Sequence, residues 1–165
     1  VKNKIGGYLE TNVFSSDKDD SHYIYLVIGM AKECASHTEH GPFSAIIVKD
    51  NEIVGSGINH VTKNNDPTAH AEIIAIRDAC KNLNTFVLKG CVIYSSAEPC
   101  LMCEGAIKWA RLDRLVYSAT AEDAQRGGFD DLVFKTSSTP HKILNRQEGS
   151  KVFDIWNNNN KSIKY

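Results

Sequence analysis

Apolar residues Tyr23, Leu26, Val27, Met30, Ala31 and Cys34 recur at helical spacing, which predicts a helix from about Asp19 to Glu39. The period then changes to that of strands. "FSAIIVKDNEIVGSGI" reads as a hairpin, two β-rich runs around the turn residues Asp50-Asn51. "NHVTKNNDPT" reads as a polar loop. Thr68 is placed to cap a helix that runs to about Leu83, with Ile73, Ile74, Ile76 and Ala79 facing a core. "CVIYSSA" reads as a short buried strand. "PCLMCEGAIKWAR" opens a second helix, with Pro99 at its start, where a missing N–H costs least. "RLVYSAT" is another strand, followed by a short helix "AEDAQRG", the loop "GGFDD" and a helical tail "ILNRQEGSKVFDIWNNNNK" interrupted at Gly149. A hairpin followed by alternating helix and strand predicts an α/β protein, one mixed sheet with helices on both faces. Ligands in such sheets gather where strand C-termini meet helix N-termini. Residues 1–20, with Gly6-Gly7 and the acidic "SSDKDD", read as a loosely held leader before one domain over 21–165.

Composition changes this picture little. Hydrophobic residues make up 42% and charged residues 24%, as in ordinary soluble globular proteins. No apolar run approaches the ~20 residues of a membrane helix, and Tyr23 to Ala31 lacks the basic flank of a secretory signal. The expected location is the cytoplasm, without membrane contact. A net charge of -1 offers no basic excess for a nucleic-acid backbone. Five cysteines, an odd number, favour reduced thiols, some of them on a metal.

The chemistry concentrates in two short stretches. Cys100 and Cys103 form a C-x-x-C at the N-terminus of a predicted helix, where one turn brings both sulfurs within reach of one ion and N–H groups favour thiolate. Alone, that spacing is ambiguous between a redox pair, a zinc site and coincidence. His70, at another helix start, offers a third ligand. Alone, it would more often be a capping or core histidine, and Glu72 an ordinary helix-start carboxylate. Together, His70-x-Glu72 and Pro99-Cys100-x-x-Cys103 match the H-x-E…P-C-x-x-C pattern of zinc deaminases. Three ligands leave a tetrahedral position open, as in catalytic rather than structural zinc sites. Cys34, Cys80, Cys91 and His60 are conceivable fourth ligands, but none has ligand-like spacing. The three cysteines read as small buried hydrophobes. Zinc acidifies water to a pKa of about 7, and Glu72 takes the water's proton, passes it to a ring nitrogen and protonates the departing amine.

On these residues the chain resembles the cytidine-deaminase superfamily, and within it the bacterial guanine deaminases. The likeness covers about Ser21 to Tyr165. It is carried by "GPFSAIIVKDNEIVGSGINHVTKNNDPTAHAEIIAIRDAC", by "EPCLMCEGAIKWARLDRLVYSA", and by "GGFDD" with the "FDIWNNNNKSIKY" tail. The resemblance implies a three-layer α/β/α fold with a central five-stranded mixed sheet. It implies zinc on His70, Cys100 and Cys103, and hydrolytic deamination of guanine to xanthine and ammonia. By the same resemblance, Glu72 shuttles protons, Asn59 hydrogen-bonds the base and Phe43 lines its ring. Asp131 meets the guanine edge and acts as a second proton shuttle, while Trp109 and Tyr165 help to close the site. The substrate is then a small purine base, and the chain a homodimer that swaps C-terminal segments.

Guanine's donors at N1 and the 2-amino group suit a carboxylate such as Asp131, whereas adenine presents an acceptor at N1 and leaves it unpaired. Without the resemblance, Asn59 reads as a turn residue, Asp130-Asp131 as a solvated pair, Phe43 and Trp109 as core aromatics, and Glu98 as structural. Ser44, Ala97 and Leu101 depart from the family's usual glycine, cysteine and proline, with Ser44 expected near the ring site. Competing readings are a guanosine deaminase, a tRNA adenosine deaminase, and an inert zinc domain that has no use for Glu72.

Overall fold

A computed structural model describes residues 19–36 and 40–129. The elements in order are α1 (Asp20–Ala35), β1 (Ser44–Lys49), β2 (Glu52–Ile58), α2 (Val61–Asn64), α3 (Ala71–Leu83), β3 (Val92–Ala97), α4 (Leu101–Trp109), β4 (Arg114–Ala119) and α5 (Ala121–Arg126). The leader expected over residues 1–20 lies outside the described residues up to position 18, and so does the whole tail after Phe129. Among the described residues no helix is long and apolar enough to cross a membrane.

The sheet order is β2-β1-β3-β4. β1 is antiparallel to both β2 and β3, and β3 runs parallel to β4. The resemblance implied five strands, and four lie among the described residues. The β1–β2 hairpin turns at Asp50 (φ 49) and Asn51 (φ 64), two residue types that tolerate the left-handed region a tight hairpin turn demands. β1 is buried on both faces because it lies inside the sheet between two helical layers. Ala45 and Ile47 face a core with α3 and α4, while Ile46 and Val48 face Tyr23 and Val27 of α1. This is the three-layer α/β/α arrangement.

Polar bonds fix α1 against its layer. Asp19 caps it by accepting the His22 N–H at 3.0 Å. Asp20 accepts from both Arg114 terminal nitrogens at 2.6 and 2.9 Å and from the Tyr94 hydroxyl at 2.7 Å. The Arg114 and Tyr94 hydrogen bonds hold the Asp20 carboxyl down at about 2. Burial, then Asp20 itself, pushes the Tyr94 phenol up to about 12. Ser44, expected near the ring site, instead donates its hydroxyl to Val27 O at 2.6 Å and ties α1 to β1.

Three local expectations change. The polar loop contains α2, a four-residue helix with no buried residue and therefore no apolar period to reveal it. Thr68 does not cap α3. Its N–H and hydroxyl both donate to Asp66 Oδ1, at 2.8 and 2.7 Å, in a turn of their own, and the N-cap is His70. Pro99 precedes the N-cap of α4, which is Cys100.

Candidate functional site

The two helix starts that carry the chemistry share an unusual feature. Side-chain oxygens of Ser, Thr, Asp or Asn normally satisfy the first N–H groups of a helix. Here the N-caps of α3 and α4 are His70 and Cys100, and neither side chain makes a cap hydrogen bond. Both turn toward one point instead. Cys100 Sγ and Cys103 Sγ each lie 3.6 Å from His70 Nδ1, and the sulfurs are 3.7 Å apart. Tetrahedral zinc with ordinary bond lengths requires donor separations of about 3.6 Å between nitrogen and sulfur and about 3.8 Å between sulfurs. The triangle therefore fits zinc. Among the described residues it is the one group of three or more His, Cys, Asp or Glu donors spaced for a metal.

Sharing one thiol proton with Cys103 holds Cys100 down at about 4, and the same bond together with burial pushes Cys103 far up. His60 and the other cysteines stay outside the donor group. Burial pushes the Cys34, Cys80 and Cys91 thiols up, which suits their reading as small hydrophobes, although Cys80 is only half-buried.

Glu72 lies on the first turn of α3 and is 6% exposed. Oε2 accepts from Cys103 Sγ at 3.4 Å, beside the donor triangle, and Oε1 accepts from the Ser95 hydroxyl at 2.8 Å. Burial pushes its carboxyl up, opposed by these hydrogen bonds and one from its own backbone. His70, Glu72 and Cys100 line a cavity of ≈ 370 Å³ together with Asn59, Phe43 and Phe129, a size typical of small-molecule sites.

Asn59 follows β2. Its N–H donates to Phe43 O at 3.0 Å, and its Oδ1 accepts the Val61 N–H at 3.2 Å. It is therefore a turn residue as well as a cavity residue. Its NH₂ group makes no hydrogen bond among the described residues. A Cβ at Gly41 would come within 2.9 Å of the Asn59 amide, so only glycine leaves that amide in place. Phe43 meets Phe129 edge to face at 4.7 Å. Glu98 accepts the Ala121 N–H at 2.9 Å and so ties the cysteine loop to α5.

The structure thus brings together His70, Cys100, Cys103, Glu72, Asn59 and Phe43. It does not bring Trp109 to them. Trp109 ends α4, the opposite end from Cys100, is 63% exposed, and borders a separate apolar groove with Ile73, Ile76 and Phe86. Asp131 and Tyr165 lie outside the described residues. Sequence reasoning missed Ser95, Gly41 and Phe129. A pair of serines inside a buried strand was the available signal for the first.

Residues 17–119 match the family described as the cytidine and deoxycytidylate deaminase zinc-binding region. The chain is 52% identical over 101 residues to guanine deaminase of Bacillus subtilis, a match covering 61% of this chain and 65% of that enzyme. It is 46% identical over 87 residues to the tRNA-specific adenosine deaminase of Aquifex aeolicus, covering 53% of this chain and 56% of that protein. The chain therefore spans less than two thirds of either relative. The X-ray structure of the B. subtilis guanine deaminase superposes with a TM-score of 0.84 at 38% identity, covering 90% of this chain and 99% of the other. Motif, donor geometry, fold and residue-level similarity converge: the chain belongs to the cytidine and deoxycytidylate deaminase zinc-binding family.

Proposed function

We propose that the protein hydrolyses free guanine to xanthine and ammonia. The observation that carries this reading is a zinc-shaped donor triangle with Glu72 Oε2 3.4 Å from Cys103 Sγ, at the wall of a base-sized cavity. When bound there, zinc supplies the Lewis acidity that brings the pKa of water to about 7. Glu72 Oε2 takes the proton of the water that attacks C2 and delivers it to N3, the unprotonated ring nitrogen beside that carbon. Glu72 then carries the remaining hydroxyl proton to the 2-amino nitrogen as the C2–N bond breaks, and ammonia leaves. The Asn59 NH₂ donates to an acceptor on the purine, and Phe43, backed by Phe129, provides an apolar wall for its ring. Asp131 accepts from the donors on the N1 edge.

The similarity to the B. subtilis guanine deaminase supports this substrate over adenosine in tRNA, as does the net charge of -1. The experiment is incubation of zinc-loaded protein with guanine, guanosine or a tRNA anticodon stem-loop, with xanthine followed in the ultraviolet and Glu72→Ala as control. Xanthine from the parent and none from the variant is expected. Faster turnover of guanosine, or inosine in the RNA, would replace this reading.

The placement of Trp109 bears on assembly. Phe86 (50% exposed) and Trp109 stand on the α3–α4 groove with Ile73 and Ile76, an apolar patch of the kind that marks interfaces. A homodimer joined on this side lets Trp109 and Tyr165 of one copy close the cavity of the other. Sedimentation should return twice the 18.3 kDa chain mass. A monomer with full turnover would remove the homodimer and both lid roles.

A further inference from the structure

β3 runs through the middle of the sheet, yet it carries Ser95 and Ser96 in succession, both buried. Ser96 faces the α1 side, where its Oγ accepts the Ser44 N–H at 3.0 Å. Ser95 faces the opposite layer. It is 1% exposed, and its hydroxyl donates to Glu72 Oε1 at 2.8 Å. A serine inside a strand packs less apolar surface than valine and carries a desolvation cost unless it is hydrogen-bonded. Here that bond goes to the carboxylate beside the metal donors.

We infer that Ser95 is a positioning residue for deamination. Its hydroxyl holds one oxygen of Glu72 and thereby presents the other to the donor triangle. This rests on the reading of Glu72 as the proton carrier. A glutamate carboxylate turns on three torsions, the last of them broad, so a helix alone does not orient it. Ser95 is a rigid anchor. It is registered against Ala45 of β1 on one side and Tyr117 of β4 on the other. With Oε1 held from the sheet, Oε2 falls 3.4 Å from Cys103 Sγ. Ser95 is not among the residues that line the cavity, so it acts through Glu72 and not on the substrate. Misplacing a reacting group by about 1 Å costs up to ~10²-fold in rate.

The test uses the zinc-loaded full chain as parent, Ser95→Ala and Ser95→Thr, with zinc content, guanine kinetics and crystal structures for each. Ser95→Ala should keep one zinc per chain and a KM near the parent value, while kcat falls on the order of 10–100-fold. Ser95→Thr, which keeps the hydroxyl on a strand-favouring residue, should restore most of kcat. In Ser95→Ala crystals the Glu72 carboxylate should leave its present orientation. Parental kcat in Ser95→Ala, a fall that tracks lost zinc or raised KM, or an equal fall in Ser95→Thr would overturn the role. If the parent itself ignores guanine, the functional reading fails separately. The Glu72 orientation then decides alone, displacement supporting the role and an unmoved carboxylate overturning it.

Discussion

Cys103→Ala should purify with well below one zinc per chain and show no measurable deamination. His70 Nδ1 and the two sulfurs form a near-regular triangle with edges of 3.6, 3.6 and 3.7 Å, already at the spacing that tetrahedral zinc requires. Cys103 is the fully buried corner of that triangle, while His70 and Cys100 are half-buried. With it removed, two protein donors remain, and the described residues contain no other group of three His, Cys, Asp or Glu donors spaced for a metal. Loss of a mere outer partner of a metal ligand costs ~10–100-fold in affinity, so loss of the ligand itself should exceed that. Because metal binding adds to folding free energy, the variant should also melt lower than the zinc-loaded parent, and added zinc should raise its Tm little. Elemental analysis after gel filtration checks the first outcome. One zinc per chain in the variant would show that the ligand set is wrong.

That donor set was legible because ligand chemistry is written locally. "HAE" and "PCLMC" each put donors within one helical turn, and their residue types exclude most other readings. The same chemistry explains why Thr68 misled. Cap preference favours threonine, but the helix begins after His70, whose side chain turns to the two sulfurs and makes no cap hydrogen bond, a local rule broken at the candidate site. The core face of α3 was only partly read, for a different reason. Ala79 is 0% exposed as expected and Ile76 packs against the same core, but Ile73, Ile74 and Ile76 are only half-buried, whereas Ala71 and Ala75, which were not expected there, are each 0% exposed. Small residues pack where two backbones approach closely, so size was the wrong guide. The alternation of Gly55 and Gly57 on the facing strand was the missed clue. Trp109 shows a further limit: the resemblance placed it at the site, whereas it stands at the end of α4 away from Cys100, on a separate apolar groove. The strand order and the Ser95–Glu72 bond join residues distant in sequence, and no local pattern encodes either.

The close approach of α3 to β2 leads to the second large effect. A Cβ at Gly57 would lie 2.2 Å from Ala71 O and 2.6 Å from Ala75 N, both backbone atoms of α3. Backbone cannot swing aside as a side-chain tip can, so Gly57→Ala must push the helix off the strand. Overpacking of a well-filled core usually costs ~1–3 kcal/mol, and two sub-3 Å backbone clashes place this substitution at or above the upper end. A loss of about 3 kcal/mol corresponds to a fall of roughly 6–12 °C in Tm for a domain of this size. The damage is not only to stability. His70 caps α3 and Glu72 sits on its first turn, the turn pressed by the new methyl, whereas Cys100 and Cys103 ride on α4. Displacing one helix against the other opens the donor triangle, so zinc content and turnover should fall with Tm. Gly105→Ala is the matched control. It lies in α4 with nothing within 4 Å of the added Cβ, and replacing a helical glycine there should stabilise by ~0.4–1 kcal/mol. Thermal melts of both variants decide the matter. A Gly57→Ala protein with parental Tm and full zinc would mean that α3 does not rest on β2 as closely as the structure has it.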